Sequence, residues 1–152
     1  MKYMIFAAAL VLGVPVIAGT TAFSKQLKHL AFTAMVVLFI FNVQSSINLV
    51  SMEHYRGPVR GYEITLADII AIGLSIGMLL RTGSRIIWMP RFTLLLLLFF
   101  IISIANVAQS TYTLYGWFVV WQLFRMGLMY WCTVNYFATE EYDLPSIRSL
   151  MI

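Results

Sequence analysis

Between Arg91 and Arg125 the chain runs for 33 residues, Phe92 to Phe124, without one charged side chain. A membrane-spanning helix needs about 20 apolar residues, so this run is too long for one ordinary span. The polar patch Asn106, Gln109, Ser110, Thr111 and Thr113 offers a tight turn within it. It predicts a fourth helix over about 92–108 and a fifth over about 114–137, with Trp117, Trp121, Tyr112 and Tyr115 as an interfacial aromatic belt. Three earlier runs predict helices over about 3–23, 30–52 and 64–80.

Composition points the same way. Of the 152 residues, 61% are hydrophobic and 11% are charged. A water-facing domain carries about 25% charged residues, and bilayer burial accounts for the deficit. The expected fold class is therefore all-α: a single polytopic membrane helical bundle with about five transmembrane helices over 1–152, ending in a short amphipathic tail over 138–152. The first run has only Lys2 as a basic n-region, and Thr20-Thr21-Ala22 is a poor cleavage site for a signal peptide. It reads as a helix with Pro15 as a tolerated kink.

The net charge of +4 comes from ten Lys and Arg against six acids. The basic residues fall mostly between apolar runs, where they set topology, and no basic stripe with interleaved aromatics suggests nucleic acid. Placing Lys25, Lys28, Arg81, Arg85, Arg91 and Arg148 in the cytoplasm leaves Lys2, Arg56 and Arg60 outside. The bias predicts an external N-terminus and a cytoplasmic C-terminus. Cys132 lies in an apolar run with no second cysteine, so it reads as a small buried hydrophobe.

Polar residues inside the runs are the candidate functional positions. At helical spacing the second run carries two stripes, Asn42/Ser45/Leu49 and Gln44/Asn48/Ser51. Facing lipid they would be costly, so they are expected against other helices or a wet cavity. Plain interhelical hydrogen bonding, worth about 1 kcal/mol or less each, is the simpler explanation. Asp68 follows Thr65 by three residues, a capping-box spacing with Asp in place of Glu. Gly73 and Gly77 form a GxxxG flanked by Ala71 and Ser75, suited to close helix packing or a partner helix. Arg56 and Arg60, in the turn-rich EHYRGPVRGYE loop, either clamp an anionic headgroup or pair with Glu53 and Glu63.

Arg125 falls near the middle of the predicted fifth helix. An arginine at the bilayer centre costs about 2.5 kcal/mol or more unless it has a partner or a wet cavity. It is expected to anchor a phosphate-type headgroup, to pair with Asp68 or the polar face of the second helix, or to sit at the interface. No Gly-rich phosphate loop, HExxH, CxxC pair or nucleophile elbow occurs, and His29 and His54 are expected on opposite sides. Neither a metal site nor a cofactor is expected.

Three segments resemble the N-terminal part of the O-antigen ligase / O-antigen polymerase family of bacterial membrane glycosyltransferases. They are SINLVSMEHYRGPVRGYEITLADIIAIGL, the arginine-rich loop with the Leu/Phe-rich helix that follows it, and QLFRMGLMYWCTVNYFATEEYDLPSIRSLM. The likeness covers about residues 30–152. It implies a bacterial inner membrane location and a link to lipopolysaccharide biosynthesis and undecaprenyl-pyrophosphate-linked glycans. The family's catalytic arginines and histidine lie around a later loop, so the resemblance carries over no catalytic residue. At most Arg56, Arg60 and Arg125 match positions facing a substrate cavity. The expectation is a small structural or accessory subunit among membrane lipids and other membrane protein subunits. The alternatives are a truncated or split ligase handling the lipid-linked glycan and, further off, a small transporter or channel lined by Asn42, Gln44, Asn48 and Asp68.

Overall fold

The computed structural model describes residues 2–41, 46–51, 61–81 and 86–139. Among these residues five helices carry the fold: α1 (Lys2–Phe23), α2 (Lys25–Ile40), α3 (Leu66–Leu80), α4 (Thr93–Gln109) and α5 (Thr113–Thr139). Between α2 and α3 stand two short strands, β1 (Ser46–Ser51) and β2 (Gly61–Thr65). They pair antiparallel, with Ser46 opposite Thr65 and Asn48 opposite Glu63.

The strands correct the expected second helix over 30–52. That helix begins earlier, at Lys25, where Ser24 caps it by accepting from the Leu27 amide, and it ends at Ile40. Ser46-Ile47-Asn48-Leu49 alternates polar and apolar, the period of a strand, and β-branched Ile64 and Thr65 suit its partner. The stripe members Asn48, Leu49 and Ser51 therefore lie on a strand and not on a helix face. Of the other members, Asn42 and Gln44 lie outside the described residues.

Helix α3 is the hub. Its Gly73 and Gly77 lie against α1: a Cβ on Gly73 would come 2.8 Å from the Ile17 Cβ, and one on Gly77 would come 2.9 Å from the Ala18 carbonyl oxygen. Gly13 of α1 meets Ile69, so residue numbers rise together and the two helices run parallel. On its other side α3 meets α2 and α5, where Met35, Ala67, Ala71, Leu74, Met78, Cys132 and Tyr136 form the core. Phe32 stacks on Tyr136 at 3.7 Å between ring centres.

Helix α4 packs chiefly on α5. Val107 closes against Gly116, where a Cβ would come within 3.1 Å of the Val107 Cβ, so the α4–α5 hairpin also depends on a glycine. The segment before α4 is latched to α5 by Asn135. Its Oδ1 accepts from the Ile87 amide at 2.7 Å and its Nδ2 donates to the Ile87 carbonyl at 3.1 Å. The phenol of Tyr130 accepts from the Phe92 amide.

Among the described residues one helix, over Phe6–Phe23, is by itself long and apolar enough to cross a membrane. Leu66–Leu80 and Thr93–Gln109 are apolar but shorter. The parallel run of α1 and α3 brings Phe23 and Leu80 to one end of the bundle. Lys28, which donates to the Thr139 hydroxyl at 2.6 Å, lies at this end too. This basic end stands opposite the hairpin end.

Candidate functional site

The site is built where β2 becomes α3. Thr65 is the N-cap of α3, and its extended backbone points its hydroxyl at the Asp68 amide while Asp68 returns a bond to the Thr65 amide. This reciprocal cap satisfies two donors that a helix start leaves orphaned. All the bonds to the carboxylate converge on one oxygen. Asp68 Oδ2 accepts from the Thr65 amide at 2.7 Å and the Thr65 hydroxyl at 2.8 Å.

From α5, Arg125 completes the cluster. Its Nε donates to Asp68 Oδ2 at 2.8 Å, its Nη2 lies 2.8 Å from the same oxygen, and Nη2 also reaches the Thr65 hydroxyl at 3.2 Å. The Asp68 side chain is 5% exposed and that of Arg125 is 19% exposed. The arrangement is thus a nearly buried ion pair with one rim open. The other carboxylate oxygen, Oδ1, is buried and has no hydrogen-bond partner among the described residues. In such a pair Coulomb attraction offsets desolvation, and losing either partner alone leaves a buried charge uncompensated.

Beside the pair, α5 covers β2. The Trp121 indole donates to the Glu63 carbonyl at 2.8 Å, satisfying a backbone acceptor on the strand. Tyr62 packs edge-on against Phe118, with ring centres 5.1 Å apart. Tyr62 meets Trp121 in the same way at 6.0 Å. Trp121 therefore holds the strand in place rather than lying only in an interfacial belt.

Among the sequence candidates, Asp68 and Arg125 are brought together. Gly73 and Gly77 lie on the same helix as Asp68 but face α1, so their close contact is made within the chain. Arg56 and Arg60, like Asn42 and Gln44, lie outside the described residues. Three structural residues lie outside those candidates: Trp121 as a backbone donor, Gly116 under Val107, and Asn135 as the latch. A lone Asn in an apolar helix was the available signal for the last. Among the described residues, no group of His, Cys, Asp and Glu could hold a metal ion. Comparison with protein-family models, curated proteins and solved structures returned no match.

Proposed function

We propose that this chain is a small multi-pass membrane subunit with a structural, accessory role in a larger membrane assembly of the bacterial inner membrane. The observation that carries the membrane reading is helix α4. Leu94, Leu95, Leu98 and Ile101 are 77%, 66%, 57% and 62% exposed, and Leu97, Phe99 and Ile102 are exposed beside them. At 3.6 residues per turn these positions spread over roughly 200° of the helix surface. Water does not tolerate such a face on a folded chain, whereas lipid or an apolar partner covers it without penalty. The exposed Val11, Leu12 and Val16 on α1 add a second face of the same kind.

The ion pair supports the structural half of the reading. Arg125 donates to a carboxylate and a hydroxyl of its own chain, which is how an intramembrane arginine braces two helices. The basic end, with Lys25, Lys28, Arg81 and Arg91, fits the cytoplasmic side under the positive-inside rule, which puts the hairpin on the periplasmic side. The test is purification in mild detergent. Stoichiometric co-purification of other membrane proteins is expected, and a folded monomer that brings none would contradict the accessory role.

A second reading, handling of an undecaprenyl-pyrophosphate-linked glycan, is favoured by one observation. Arg125 keeps an open rim, and its Nη1 makes no hydrogen bond among the described residues. Guanidinium groups take phosphate oxygens in this way. This reading requires binding of a lipid pyrophosphate that Arg125→Ala abolishes; unchanged binding in that variant would remove it.

A further inference from the structure

The level of the ion pair within the bundle has a consequence for the space around it. Two internal rulers give that level. Ile69 lies beside Gly13, which is eleven residues from one end of α1 and ten from the other. Arg125 is twelve residues from the start of α5 and fourteen from its end. Ten helical residues rise about 15 Å, half of a hydrocarbon core about 30 Å thick. If α1 crosses a bilayer, α3 starts well inside it. Strand β2 then climbs at about 3.3 Å per residue through the outer half.

Among the described residues the sheet has two strands, so each turns one edge of amides and carbonyls away from the ladder. At membrane depth such backbone is tolerated only inside protein or beside water, because each unsatisfied group in lipid costs several kcal/mol. Helix α5 supplies one partner, the Trp121 indole on Glu63. The floor beneath is polar: Thr65, Asp68 and an arginine with its rim still open.

We propose that the outer half of this membrane domain holds a water-filled recess, lined by β2 and floored by the Asp68–Arg125 pair, open to water-soluble ligands from the hairpin side. The proposal rests on the membrane reading above. Water hydrates the free rim of Arg125 and the strand edges, while α1 and α4 keep the rest of the same depth in lipid.

Thiol accessibility in native membranes tests it. Glu63→Cys and Ile64→Cys place thiols on opposite sides of β2. Ala7→Cys, on the exposed part of α1 at about the same level, and Leu98→Cys on α4 are the lipid-facing references. Buried Cys132 reports unfolding, since it reacts only if the bundle opens. A thiol must ionise to react, which lipid suppresses and water permits. With a charged, membrane-impermeant maleimide, at least one strand position should react about tenfold or more faster than either reference, with Cys132 silent. Both strand positions as slow as the references, in a protein that resists alkaline extraction, would overturn the recess and leave the membrane reading intact. Rapid labelling of Leu98→Cys in a protein released by alkali would overturn the membrane reading itself.

Discussion

At the basic end of the bundle, α1 and α3 meet through glycines beside a largely apolar core, into which Lys28 and Asn135 are buried with their partners Thr139 and Ile87. At the hairpin end, helix gives way to strand, and α5 is held to α3 by one charge pair and to β2 by one indole. Backbone satisfaction explains the difference. A helix bonds its own amides and carbonyls, so where α1 meets α3 small side chains and van der Waals contact are enough. A strand pair leaves groups over: Trp121 answers the Glu63 carbonyl, Thr65 and Asp68 answer each other's amides, and Arg125 balances the Asp68 charge. The first design resists change in side-chain volume; the second resists loss of polar partners.

Substitutions should separate the two. The largest effect is expected from Arg125→Met, which leaves Asp68 buried without its counter-charge and should cost about 3 kcal/mol or more. The double variant Arg125→Met/Asp68→Asn, which removes the charge and keeps an acceptor for the Thr65 amide, should regain most of that loss, as read by thermal or denaturant unfolding in detergent. A double variant no better than the single would mean that the pair does more than neutralise charge. Next, Gly77→Val should cost about 1–3 kcal/mol, because its Cβ meets the Ala18 carbonyl and Thr21. Gly19→Val is the matched control: nothing lies within 4 Å of a Cβ there, so its unfolding midpoint should change far less. Equal losses at the two glycines would mean that the α1–α3 contact is not what Gly77 protects.

Asn135→Leu removes three hydrogen bonds, two to Ile87 and one to the Trp131 carbonyl. It should cost about 1–3 kcal/mol and speed amide exchange at Ile87, since the loop is left without its partners. The smallest effect is expected from Trp121→Phe, which keeps the ring packing on Tyr62 and leaves the Glu63 carbonyl unpaired, at about 1 kcal/mol. If Trp121→Phe proved worse than Arg125→Met, the strand rather than the ion pair would be the fragile part of the hairpin end.

Much of the helical frame is legible in the sequence, because long uncharged runs bounded by Lys, Arg, Gly and Pro leave few other choices. The T-L-A-D spacing announces the start of α3, and the structure shows both bonds of the cap. The GxxxG announces a close contact, although not that α1 supplies it. The second run misleads for a definite reason. Its polar residues fit both a 3.6 and a 2.0 period, and its total length suits one span, so nothing local favours a helix ending at Ile40 over one running to 52. The Asp68–Arg125 pair is one of several readings from sequence, and the fold decides between them by setting the middle of α5 against the first turn of α3. Asn135 and Trp121 act on backbone atoms distant in sequence, which no local pattern can show.

The central claim is that α4 faces lipid. Spin labels placed singly along 94–105 of α4, in the protein reconstituted into bilayers, test it most directly. Collision rates with oxygen, which favours lipid, and with a water-soluble nickel chelate separate lipid, water and protein surroundings. The account predicts high oxygen and low nickel access on the exposed arc, highest for oxygen near the middle of the helix. High nickel access along the arc would contradict it by putting α4 in water, and exclusion of both reagents by burying it in protein.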